Sequence, residues 1–107
     1  KRYPTSGYVR GAGLATAAAT LAPEGWGSRV TLELRGVRGP LRCFLVAVDK
    51  SGNREVIGNW TVPPKGYGLP SNPEPLVFRG GTSFPMDSLA RLDVNVVGGQ
   101  QVVTIPV

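Results

Sequence analysis

Hydrophobic and polar positions alternate along most of this chain. Val30, Leu32 and Leu34 interleave with Thr31, Glu33 and Arg35, the period of two that marks a half-buried strand. Gly36 and Gly39-Pro40 end it. The next run, Cys43-Phe44-Leu45-Val46-Ala47-Val48, is apolar on both faces, which predicts a central strand between two covering layers. Asp49-Lys50-Ser51-Gly52-Asn53 is turn chemistry, because Asp and Asn bond their own backbone and Gly supplies positive φ. The turn pairs Cys43–Val48 with Glu55–Val62. On that partner, Val56, Trp60 and Val62 are expected on one face and Glu55, Asn59 and Thr61 on the other. Leu76-Val77-Phe78 predicts a short strand closed by Gly80-Gly81. Ala90, Leu92, Val94 and Val96 then alternate with Arg91, Asp93 and Asn95. Gly98-Gly99 is a hairpin signal. It returns the chain to Val103, Ile105 and Val107, with Pro106 marking an edge strand or its end.

Two stretches are less regular. Residues 14–22, Leu-Ala-Thr-Ala-Ala-Ala-Thr-Leu-Ala, carry helix propensity in their alanines. They are short, uncapped and set between Gly13 and Pro23, so they read as a first strand. Residues 63–75 hold five of the ten prolines and predict a long connection, since proline cannot donate to a ladder. The sum is an all-β protein, an immunoglobulin-like antiparallel β-sandwich of about seven strands.

Composition narrows the chemistry. The chain has 107 residues, no His and one Cys, which removes His-dependent hydrolysis, His-ligated zinc and an internal disulfide. Seven carboxylates are spread along it, mostly at turn or outward positions, so neither a glycosidase pair nor a calcium loop is expected. Asp49-x-Ser51-x-Asn53 echoes a calcium loop but is better explained as the hairpin turn. No metal and no cofactor are expected. The net charge of +5 comes from nine Arg and three Lys. These are scattered without interleaved aromatics, which argues against a nucleic-acid partner. No apolar run reaches the length of a membrane span.

Cys43 begins an apolar strand and reads as a small buried hydrophobe. Trp60 is in phase with Val56 and Val62 and is expected between the sheets, with an exposed ligand platform as the other reading. Leu32, Leu34, Cys43, Val46, Trp60, Leu92 and Val94 are the expected core. Trp26, in a turn before a strand, either folds over the open end of the sandwich or makes an exposed contact. Lys65, Tyr67 and Leu69 sit in the proline-rich stretch, which is either a stiff clasp or a recognition loop. With Trp26 they are the candidate binding residues.

A longer pattern emerges from Trp26-Gly27, Leu34-Arg35-Gly36-Val37-Arg38-Gly39-Pro40-Leu41-Arg42-Cys43, Val46-Ala47-Val48 and Asn59-Trp60-Thr61-Val62-Pro63-Pro64-Lys65-Gly66-Tyr67-Gly68. It continues in Pro73-Glu74-Pro75-Leu76, Gly80-Gly81-Thr82 and Val103-Thr104-Ile105-Pro106-Val107. This resembles the extracytoplasmic C-terminal domain of actinobacterial membrane-anchored anti-sigma factors of the zinc-binding type. The resemblance implies a juxtamembrane linker at 1–10 and a sensory or regulatory sandwich at 11–107, on the outer face of the membrane and without catalysis. It implies an upstream membrane helix and a cytoplasmic domain that binds the sigma factor, neither of them in this chain. An envelope protein or a small ligand is the partner expected for the domain itself. The reading weighed against it is an accessory carbohydrate- or peptide-binding sandwich using Trp26 and residues 63–75. The basic charge also prompts a third, a small nucleic-acid-binding barrel.

Overall fold

The computed structural model describes residues 1–9 and 13–107, and for Tyr8 and Val9 the backbone alone. Eight strands are described: β1 Arg2–Val9, β2 Gly13–Glu24, β3 Gly27–Arg35, β4 Leu41–Asp49, β5 Arg54–Val62, β6 Leu76–Thr82, β7 Leu89–Val96 and β8 Gln101–Pro106. They form two four-stranded antiparallel sheets, ordered β1-β2-β3-β6 and β5-β4-β7-β8. After β2 and β3 in the first sheet, the chain crosses to the second for β4 and β5, returns to the first for β6 and crosses again for β7 and β8, as in an immunoglobulin-like sandwich. The β4-β5 and β7-β8 hairpins lie in one sheet, and β6 returns to pair with β3 in the other.

The eighth strand is the one the sequence pattern lacks. The stretch read as a linker supplies β1, which pairs with β2 from Arg2↔Thr20 to Val9↔Gly13. It carries no apolar run because it is an edge strand. Its backbone lies against β8, with Gly7 close to Val102 and Val103. The edges of the two sheets therefore meet and close one side of the sandwich. Arg10 and the expected boundary at residue 11 lie outside the described residues.

Strand β2 shows tertiary pairing overriding local propensity. Hydrogen-bonded on both sides, the alanine run turns Ala15, Ala17, Ala19 and Leu21 into the core. They meet Val30, Leu32 and Leu34 of β3, Cys43, Leu45 and Ala47 of β4, Leu92 and Val94 of β7, and Val103 and Ile105 of β8, all buried. Burying such side chains stabilises by roughly 1.5–3 kcal/mol each for the larger ones.

Three local expectations change. Val46 is buried, but on the outer face of β4, outside the central cluster. Among the described residues the flanking strands cover it rather than a second layer, since Val46 lies opposite Val56 and Asp93. Val56 itself is 59% exposed. The cause is a bulge: Leu45 pairs with Gly58 and Val46 with Val56, which leaves Ile57 extra. One extra residue reverses the facing of everything before it, so Val56 and Trp60 do not share a face. Finally, Gly80-Gly81 does not close β6. The strand runs through to Thr82 because two aromatic rings occupy the space those glycines leave.

Candidate functional site

The sandwich has two ends. At one, the chain turns at residues 25–26, 50–53 and 83–88, beside Lys1 and Val107. At the other lie residues 36–40, 63–75 and 97–100. The length of β6 separates Trp26 from the proline-rich loop, about 20 Å at 3.3 Å per residue. The four candidate binding residues therefore do not form one site.

At the loop end, residues 63–75 fold back onto 36–40. Tyr67 N–H donates to the Val37 carbonyl (2.9 Å), and the Tyr67 carbonyl accepts from Gly36 N–H (2.9 Å) and Val37 N–H (3.1 Å). Gly68 N–H donates to Glu74 (2.7 Å), and Leu69 and Asn72 exchange a pair of 2.9 Å bonds. Asn72 Nδ2 donates to the Gly66 carbonyl (2.7 Å), and the Ser71 hydroxyl to Lys65 (2.7 Å). Gly68, with φ +64°, lies where a Cβ would strike Arg35. Gly39 abuts the carbonyls of Val62 and Pro63. The loop is thus a structural clasp. Tyr67 packs half-buried against the core, Leu69 is half-buried, and Lys65 is exposed.

Two hollows open beside this clasp. One, of about 430 Å³, is lined by Pro40, Leu41, Arg42, Thr61, Val62, Pro63 and Pro64. The other, of about 310 Å³, is lined by Arg42, Cys43, Asn59, Trp60, Thr61 and Val97. Arg42 and Thr61 line both. Arg38, Arg42 and Lys65 are exposed, and none makes an ion pair among the described residues. Sequence reasoning missed Arg38 and Arg42. The available signal was that segments 36–42 and 63–72 contain basic residues and no carboxylate.

Trp60, expected in the core, is half-buried with its ring 5.4 Å from that of Phe78. Phe78 in turn fills the space over Gly58 and Gly80. The buried Trp60 Nε1 has no partner among the described residues. The other expected core residues, Leu32, Leu34, Cys43, Leu92 and Val94, are all buried. Burial pushes the Cys43 thiol up to about 11, so it is protonated and a poor nucleophile at neutral pH.

At the opposite end, Trp26 is 58% exposed. It does not fold over the open end of the sandwich. Its ring lies on Gly81, on the outer face of the first sheet, where it leaves no room for a Cβ. Beside it Arg29 pairs with Glu24 (3.2 Å). Glu55 ties the two sheets together. One of its oxygens accepts from Thr82 Oγ1 (2.7 Å) and Ser83 N–H (2.8 Å), the other from Ser83 Oγ (2.6 Å). The Ser83 and Thr82 hydroxyls hold the Glu55 carboxyl below its ordinary value. Asp49 caps its own turn, accepting from Ser51 and Asn53, and the Asn53 side chain foremost holds it low too. Asp93, 3% exposed on the outer face of the second sheet, faces Arg91 (3.3 Å), Arg54 (3.9 Å) and the Thr104 hydroxyl (3.1 Å).

No family model matches the chain, and neither curated proteins nor solved structures match it.

Proposed function

We propose that this chain is the non-catalytic outer domain of an actinobacterial-type transmembrane anti-sigma factor, which conveys an envelope signal to a sigma factor bound by a separate cytoplasmic domain. One observation carries the reading. Among the residues of the resemblance, Gly36 to Gly39 on one side and Val62 to Gly68 on the other build the loop-end clasp. With the membrane helix upstream of Lys1, the Trp26 end lies toward the bilayer and the clasp points away from it.

The reading frame before Lys1 tests this first. It should encode about 20 apolar residues preceded by a His/Cys zinc pattern, and a catalytic domain with no membrane helix overturns the proposal. A phosphatase fused after Val107 should be active only if that end is outside. Deleting residues 13–107 from the parent protein should change transcription from the sigma-dependent promoter; an unchanged reporter removes the regulatory role.

The exposed Trp26 ring favours a second reading, an accessory carbohydrate-binding sandwich. The flat indole fixed on Gly81 offers a stacking face, but without help from residues 63–75. A glycan array with the Trp26→Ala variant alongside decides it.

A further inference from the structure

We propose that the loop end is a docking surface for an extended acidic segment of another protein, anchored on Arg42. This goes beyond the regulatory reading and does not depend on it.

Charge gives the first argument. Five carboxylates, Glu24, Asp49, Glu55, Asp87 and Asp93, lie toward the Trp26 end. Four of them are engaged by a cation or by hydrogen bonds. Glu33 lines a separate hollow with Arg2 and Arg35 on the outer face of the first sheet. That leaves Glu74 as the one carboxylate in the three described connections of the loop end, against exposed Arg38, Arg42 and Lys65. The loop end therefore carries net positive charge among the described residues, which selects and steers an anionic partner.

Shape gives the second. The larger hollow has apolar walls, with Pro40, Val62, Pro63 and Pro64 among its lining. The smaller adds Val97, itself 45% exposed. Arg42 borders both, so its guanidinium fork can take a carboxylate while neighbouring apolar side chains enter the hollows on either side. Proline walls and the hydrogen-bonded clasp are already ordered, which lowers the entropy cost of binding. Thr61 and Val62 belong to β5, the outermost strand of its sheet. An extended segment can lie along that open edge.

A polypeptide fits better than a nucleic acid. Base stacking needs an exposed aromatic face; at this end Tyr67 is half-buried against the core, and Trp60, which lines the smaller hollow, is half-buried with its ring against Phe78.

The test uses a dye-labelled peptide of alternating Glu and Val, followed by fluorescence anisotropy at low salt. Parallel arms use an alternating Lys and Val peptide, oligothymidylate and phosphatidylglycerol vesicles. The acidic peptide should bind, and binding should weaken as salt rises. Arg42→Glu and the double variant Arg38→Glu/Lys65→Glu should each weaken it by about tenfold or more. Arg29→Glu/Lys50→Glu at the other end should change it by less than about twofold. These residues are exposed, and circular dichroism confirms that each variant is folded. Equal losses from charge reversal at both ends would reduce the effect to net charge and overturn the proposal. So would no binding of the acidic peptide, or tighter Arg42-dependent binding of oligothymidylate or vesicles.

Discussion

At the Trp26 end the strands turn back within a few residues, and side-chain oxygens do the tying. Asp49 closes its turn, Glu55 bridges the sheets to Thr82 and Ser83, and Ser28 donates to the Phe84 carbonyl. At the loop end thirteen residues, 63–75, separate β5 from β6, and they are held largely by backbone groups bonded to residues 36–37. The contrast teaches where a fold can spare charge. Carboxylates employed as ties leave one end balanced and sensitive to protonation. Backbone ties leave the other end insensitive to it, with its basic side chains free for a partner.

The largest expected difference lies in the aromatics. Trp60→Ala, beneath the loop end, should cost about 3 kcal/mol, while Trp26→Ala should cost less than about 1 kcal/mol. Urea denaturation of both variants measures this, and equal losses would erase the distinction between a packed and a surface indole. Backbone packing comes next. Gly39→Ala forces a methyl against the carbonyls of Val62 and Pro63 and should cost about 2–3 kcal/mol. Gly52→Ala, in open space but at φ +87°, should cost only about 1 kcal/mol. A Gly52 penalty as large as that of Gly39 would mean that the clasp is not closely packed.

Acid should separate the ends. Glu55 and Asp49 are held below their ordinary values, 4.5 and 3.8. Their stabilisation is therefore fully present above those values and is lost as pH falls through the lowered ones. Amide exchange at Ser83 and Asn53 should rise relative to that at Tyr67 and Gly68 below about pH 4. Glu55→Gln should remove the Ser83 part of that response and cost about 1 kcal/mol. A uniform response along the chain would break the comparison. The smallest effect is expected from Lys65→Ala, within about 0.5 kcal/mol of the parent. A folding defect there would make the lysine part of the clasp and remove it from the proposed docking surface.

Much of the architecture was legible in the residues. Period-two alternation in β3 and β7, the Asp49–Asn53 turn and the proline-rich break are local signals, and each names its element without help. Core positions such as Leu32, Leu34, Leu92 and Val94 followed from the same alternation. The proline-rich stretch left two readings, a clasp and a recognition loop; the hydrogen bonds to Gly36 and Val37 show how it is held, which composition could not. Separating Trp26 from Lys65, Tyr67 and Leu69 needed to know which way β6 runs.

The sequence alone determined the strand-rich class, most strand positions and the residues able to turn, because turns and alternation depend on neighbours within a few positions. Only tertiary structure decided that residues 2–9 are a strand, since an edge strand gains its order from pairing with β2 rather than from burying its own side chains. It likewise decided that one extra residue at Ile57 turns Val56 outward, and that Arg38, Arg42 and Lys65 gather at one end. Those outcomes depend on hydrogen bonds and approaches between residues far apart in the chain, and no local pattern encodes them.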